Sequence, residues 1–247
     1  MIKIVDFYKS YSPHSPYAVE NVSMTINDKS VTALLGRNGS GKTTIIKAIC
    51  GLHFPSKGKI IVTDYEGKEY DLSTENKMAM KLSGFVPENP CLPKEMKVKD
   101  FLHYAANLHS LYDDKEEKAV SNVIKDCFLQ DLLTKKIKTL SKGQLQRVSF
   151  AQAIIHNPPN LILDEPITGL DPAQIIQMRK LIEKLAQTKA ILMSTHILQE
   201  VYSLNSRIYI INDGKSIAHG SESQIIEKTG CKNLEEAFLQ LSGGFSE

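Results

Sequence analysis

The sequence predicts an α/β fold organised around a mostly parallel sheet with helices on both faces. Three observations carry that expectation. A glycine-rich loop, GRNGSGKTT at Gly36 to Thr44, lies between a short apolar, β-branched run, VTALL, and a helical segment, TIIKAICGL. Two further apolar runs, LILD and AILMST, are each followed by a segment of helical spacing. Strands that alternate with helices in this way form parallel sheets, because a parallel partner is reached only through a crossover.

Taken in order, the N-terminal part is β: IKIVDFYKSY, then YAVENVSMTI with near-alternation of apolar and polar residues, then VTALLG. A helix follows Lys42. KGKIIVTDYEGKEYDL predicts a hairpin turning on Glu66-Gly67. From about Glu75 the character changes, and VKDFLHYAANLHSLY, EEKAVSNVIKDCFL and QLQRVSFAQAII predict three helices, a candidate inserted subdomain. LILD is then a buried strand. Pro172 sits at the first turn of a helix carrying Ile175, Ile176, Arg179, Ile182 and Leu185. AILMST is another buried strand, ILQEVYSL a helix, and RIYIINDGKSIAHG a hairpin on Asp213-Gly214. The expected partition is a core of residues 1–78 and 156–220, a helical subdomain at 79–155 and a helical tail at 221–247.

The composition is that of an ordinary globular protein. The 247 residues are 42% hydrophobic and 23% charged, enough for a sizeable core. A formal net charge of +2 gives no strong tendency to bind polyanions, and the run Lys135–Lys136–Ile137–Lys138 is expected to be a solvated face, so no nucleic acid is expected as a partner. MIKIVDFYKSY lacks the long apolar stretch of a secretory signal, and no run approaches eighteen apolar residues. Cys50, Cys91, Cys127 and Cys231 are scattered, without a C-x-x-C pair, and are expected to be packing residues.

Three motifs carry chemistry. Gly36, Gly39, Gly41, Lys42 and Thr43 complete the pattern G-x-x-x-x-G-K-[ST]. Its glycines let successive backbone N–H groups point at phosphate oxygens while the following helix adds its positive end. Lys42 is expected to neutralise the β- and γ-phosphates and Thr43 to ligate Mg²⁺. In LILDEP, an apolar strand ends in Asp164, at the carboxyl edge of the sheet where it can hold Mg²⁺, and Glu165 beside it can polarise an attacking water. In LSKGQLQR, Ser141 is a helix N-cap and Gly143 permits close approach of a phosphate, a second anion site.

The set resembles the ATP-binding-cassette (ABC) ATPases, over essentially the whole chain and in the family's order. LSKGQ is similar to the family signature, usually LSGGQ; ITGLDP contains the D-loop, Gly169-Leu170-Asp171; STH ends in His196, matching the switch histidine; and Tyr11 lies where the family stacks an aromatic on adenine. The resemblance implies a P-loop NTPase (RecA-like) core with an N-terminal antiparallel β subdomain and an inserted α-helical subdomain. It implies ATP and Mg²⁺ as cofactors. Arg37, Asn38, Ser40, Thr44, Gln144 and Asp171 join the residues above as nucleotide contacts, with Glu165, His196 and Lys42 as the hydrolytic set. Two residues depart from the pattern. Lys142 replaces the first glycine of the signature, and GFVPENP carries Glu88 where the family's Q-loop has a glutamine ligand to Mg²⁺.

The resemblance further implies a head-to-tail pair of ATPase subunits, identical or related, that encloses two ATP molecules. It implies a separate transmembrane permease, which would hold this chain peripherally on the cytoplasmic side of the cell membrane. The VPE form of the Q-loop and the C-terminal NLEEAFLQL are similar to the ATPases of ABC-2-type exporters. The alternatives are the ATPase of an importer and a soluble ABC ATPase such as an iron–sulfur assembly factor.

Overall fold

The computed structural model describes residues 1–12, 15–204 and 206–244. Residues 245–247 of the expected tail lie outside them. Two sheets make up the core. Strands β1 (Ile2–Lys9), β2 (Val19–Ile26), β4 (Lys57–Thr63) and β5 (Glu69–Asp71) form an antiparallel sheet in the order β2-β1-β4-β5. Strands β3 (Ser30–Leu35), β6 (Ser83–Val86), β7 (Asn160–Asp164), β8 (Ala190–Thr195), β9 (Arg207–Asn212) and β10 (Lys215–Gly220) form the second, in the order β10-β9-β3-β8-β7-β6. All neighbours in it are parallel except β9 and β10, which join through Asp213 and Gly214. Both of those loop residues have positive φ, 46° and 75°, the backbone that a two-residue hairpin of matching twist needs.

The central strand β3 explains why its sequence is a continuous apolar run. Leu34 packs with Ile4, Phe7, Ile26, Ile45, Ile46 and Ile60 between the two sheets and helix α1 (Lys42–Ile49). Ala33 and Leu35 point the other way, into a cluster with Ile208, Ile210, Ile225, Leu234 and Ala237. That second cluster is closed by α8 (Glu222–Thr229) and α9 (Leu234–Leu241), which end the described chain. A strand buried on both faces has no polar side to show.

The helical block consists of α3 (Val98–Leu108), α4 (Asp113–Asp126) and α5 (Lys142–Ile154), with α2 (Asn76–Lys81) before it. Val98, Phe101, Leu102, Val120, Val123, Val148 and Phe150 pack against Leu161, Leu163, Ile191 and Met193 of the sheet. This corrects the boundary expected at residue 79. Ser83–Val86 pairs in register with Asn160–Leu163 as the edge strand of the parallel sheet, so the inserted block starts after Val86. Gly84 allows that pairing, since a Cβ there would stand 2.1 Å from the Ala153 carbonyl of α5. The helix expected to run to Tyr112 stops at Leu108, because Ser110 adopts left-handed backbone (φ 59°) just beyond it; Asp113 (φ 54°) then opens α4. Helix α6 (Pro172–Ala186) starts with Pro172 in its first turn, as its sequence predicts, and α7 (Leu198–Ser203) follows His196.

Candidate nucleotide-binding site

The phosphate loop connects the carboxyl end of β3 to α1. Gly39 and Gly41 adopt φ of 82° and 110°, conformations that side chains resist, and Gly41 stands at the helix N-cap. The loop is wedged tightly. A Cβ on Gly41 would approach Val19, the Ala18 carbonyl and Gly214 within 3.2–3.3 Å, and one on Gly36 would stand 2.5 Å from the Ile211 carbonyl. Lys42, 6% exposed, folds back over the loop and donates to the carbonyls of Gly36 at 2.7 Å and Arg37 at 3.2 Å. Its ammonium lies 3.9 Å from Oε1 of Glu165.

A cleft of about 600 Å³ opens above this loop. It brings together Asn38, Gly39, Ser40, Gly41, Lys42, Thr43 and Thr44 with Glu88, Asp164, Glu165 and His196, eleven of the residues that the sequence singles out. Strand pairing is what gathers them. Asp164 ends β7 directly opposite Ser194 of β8, and His196 follows two residues beyond. Ser194 Oγ donates to Asp164 Oδ1 at 2.6 Å. Glu165 leaves the strand with a left-handed backbone (φ 47°), and its N–H donates to the Ser194 carbonyl at 3.2 Å and to Ser194 Oγ at 3.1 Å. That turn sends the carboxylate into the cleft, where Oε2 lies 2.9 Å from His196 Nδ1 and accepts from Thr168 Oγ1 at 3.1 Å.

The charges are unbalanced. Three carboxylates, Glu88, Asp164 and Glu165, face one buried lysine. Burial raises the Asp164 carboxyl above its usual range, and Glu165 and Glu88 add to the rise; the Ser194 hydrogen bond and Lys42 oppose it. Burial likewise lowers the Lys42 ammonium, against the pull of Glu165, Asp164 and Glu88. A divalent cation bound here would favour the charged form of the carboxylates, and bound phosphates that of the lysine. The donors suit Mg²⁺, which prefers oxygen and keeps positions for phosphate and water. Thr43 offers a hydroxyl, and Asp164 and Glu88 offer carboxylates. Among the described residues no group of three His, Cys, Asp or Glu side chains is arranged to hold a metal alone, so such an ion would draw on the nucleotide for further ligands.

Other expected residues lie outside the cleft. Gly36 and Arg37 form the loop's base, their carbonyls turned to Lys42. Tyr11 is 63% exposed and lines a neighbouring hollow with Ser12, Ser15 and Tyr17, though its hydroxyl meets Thr44 Oγ1 at 3.1 Å. Ser141 and Gln144 make a reciprocal capping box at the start of α5, through Gln144 N–H to Ser141 Oγ at 3.3 Å and Ser141 N–H to Gln144 Oε1 at 3.1 Å. Gly143 lies against α6, where a Cβ would stand 2.0 Å from Gln174 Oε1. Asp171 caps α6, its Oδ1 accepting from the Gln174 N–H at 2.9 Å. The signature and the D-loop therefore adjoin each other within one chain, and neither lines its cleft. Sequence reasoning missed Ser194, Thr168 and Ala18. Ser194 was findable from strand register, two positions before His196; the other two depend on local backbone geometry.

Comparisons with known proteins agree with this fold. The ABC transporter family profile matches residues 19–168. The ABC transporter ATP-binding protein YxlF of Bacillus subtilis is 33% identical over 215 residues, covering 87% of this chain and 69% of that protein. The lipopolysaccharide export system ATP-binding protein LptB of Escherichia coli is 29% identical over 218 residues, covering 87% of this chain and 89% of that one. The solved structure of an ATP-binding subunit of an ABC transporter superimposes with a TM-score of 0.86 at 28% identity, covering 98% of this chain and 99% of that one. With its phosphate loop, strand-end carboxylates and signature helix in one fold, the chain belongs to the ABC transporter family, as an ATP-binding ATPase domain that works with ATP and Mg²⁺.

Proposed function

We propose that this chain is the ATP-hydrolysing subunit of an exporter, that two such subunits close head-to-tail around two Mg-ATP, and that closure drives a separate membrane permease. The dimer rests on a division of the site. The cleft of one chain holds the phosphate loop, Asp164, Glu165 and His196, while Ser141, Gly143 and Gln144, a second helix start suited to phosphate, are absent from its lining. A second copy supplies them across the interface. There the N-terminus of α5 meets the γ-phosphate only while that phosphate is present, so ATP binds the closed pair better than the open one.

In this scheme the backbone N–H groups from Asn38 to Thr44 and the Lys42 ammonium bind the phosphates. Thr43, Asp164 and Glu88 hold Mg²⁺, and Tyr11 stacks on adenine beside its anchor, Thr44. Glu165 takes a proton from the attacking water as general base, and His196 stabilises the phosphate and the base together. Asp171 contacts the opposing site. Complementation tests the arrangement. Lys42→Ala and Gly143→Asp are each expected to be inactive alone. Mixed one to one, they should recover about a quarter of the wild-type rate, since half the dimers are mixed and each has one of two sites intact. No recovery, with both chains folded and mixed dimers present, would overturn the shared site.

The permease is supported by the family and by the chain's own helices: among the described residues, none is long and apolar enough to cross a membrane. Export is supported by Glu88 in the Q-loop and by the likeness to an export-system ATPase. The subunit would then sit peripherally on the cytoplasmic face. Affinity purification from detergent-solubilised membranes of its own host should bring down a polytopic membrane protein in roughly equal amount. Recovery only with soluble scaffold or cluster-assembly proteins would sink the transporter reading.

A further inference from the structure

We infer that Thr168 is a positioning residue for Glu165: its hydroxyl fixes which oxygen of the carboxylate faces the reacting phosphate. This rests on Glu165 being the general base. Thr168 stands three residues after Glu165 and closes a tight turn onto it, with its N–H donating to the Glu165 carbonyl at 3.3 Å and its Oγ1 to Oε2 at 3.1 Å. The same oxygen faces His196 Nδ1 at 2.9 Å, whereas Oε1 faces Lys42 Nζ at 3.9 Å.

These three neighbours are not equivalent. Lys42 is cationic and His196 presents its imidazole to the same carboxylate; both line the cleft that takes the phosphates, as Thr168 does, and a bound anion competes with Glu165 for them. Thr168 is neutral, and its bond is local to one turn of backbone. A phosphate does not draw such a donor away by charge. The need for such a donor follows from the side chain. The terminal torsion of a glutamate is broad and two-fold, so an unheld carboxylate swings. The backbone at Glu165 is anchored by both the carbonyl and the hydroxyl of Ser194, which fixes the Cα but not that torsion. Thr168, β-branched and stiff at χ1, holds its hydroxyl where Oε2 needs it and leaves the lone pairs of Oε1 turned to the cleft. A base held in one orientation reaches the attacking geometry without a further search.

The test compares Thr168→Val, which keeps the shape and removes the donor, with Thr168→Ser, which keeps the donor, and with Glu165→Gln as the reference. For Thr168→Val, kcat should fall by about tenfold, with KM for ATP and the affinity for ADP within about twofold of wild type. Thr168→Ser should recover to within about threefold of the wild-type kcat. A wild-type kcat in Thr168→Val overturns the inference. So does an equal loss in Thr168→Ser, or a loss confined to KM, since either marks a packing role. The two readings fail separately. A dead Glu165→Gln beside a fully active Thr168→Val removes only the role of Thr168, whereas an active Glu165→Gln removes the base itself.

Discussion

Lys42→Ala is expected to weaken ATP binding by at least about 30-fold, the lower end of what truncating one partner of a buried, hydrogen-bonded charge pair costs. Lys42 is the lysine lining the cleft, and it is almost wholly buried. Its present acceptors are backbone carbonyls of Gly36 and Arg37, which a triphosphate outcompetes by charge. Losing the ammonium leaves Glu88, Asp164 and Glu165 facing the nucleotide without the lysine's charge, so repulsion adds to the lost contact. Binding of a fluorescent ATP analogue, with circular dichroism as a check on folding, measures the effect. Affinity within about threefold of wild type in a folded protein would show that the lysine does not carry the phosphates.

Glu165→Gln should leave ATP binding nearly unchanged and lower kcat by about 10²–10⁴-fold, the range expected for removal of a positioned general base. The amide keeps the size of the side chain and can still accept from Thr168 and meet His196 through its oxygen. It cannot take a proton from water at neutral pH. Because hydrolysis is what opens the proposed dimer, the variant should also accumulate as an ATP-bound pair in light scattering, while wild type with ADP remains single. Single-turnover hydrolysis near the wild-type rate would move the base elsewhere in the cleft.

The phosphate loop, the strand-end carboxylates and His196 were legible because their chemistry needs particular residue types at fixed spacing, and β3 and β8 because they are apolar throughout. Edge strand β6 was not, since four residues of SGFV have no readable period and Gly84 owes its place to the Ala153 carbonyl behind it. The break between α3 and α4 escaped for a related reason: Ser110 and Asp113 take left-handed backbone that their residue types only mildly favour. Thr168 escaped because its bond to Glu165 exists only through the φ of 47° at Glu165, and torsions are not written in residue types. The separation of Ser141 from the cleft is likewise a property of the folded chain.

The wedge that holds the phosphate loop sets a schedule for its birth on the ribosome. The loop's parent strand, β3, pairs with β8 and β9, more than 150 residues downstream, and Gly214 N–H donates to the Ser40 carbonyl at 2.9 Å. The Gly214 carbonyl in turn accepts from the Glu20 N–H at 2.8 Å, tying the hairpin to the first sheet. A nascent chain that has emerged only through α5 thus has its GKTT sequence exposed but neither flanking strand to brace it. Competence to hold nucleotide arrives late in translation, all at once, when the hairpin at 213–214 clears the exit tunnel.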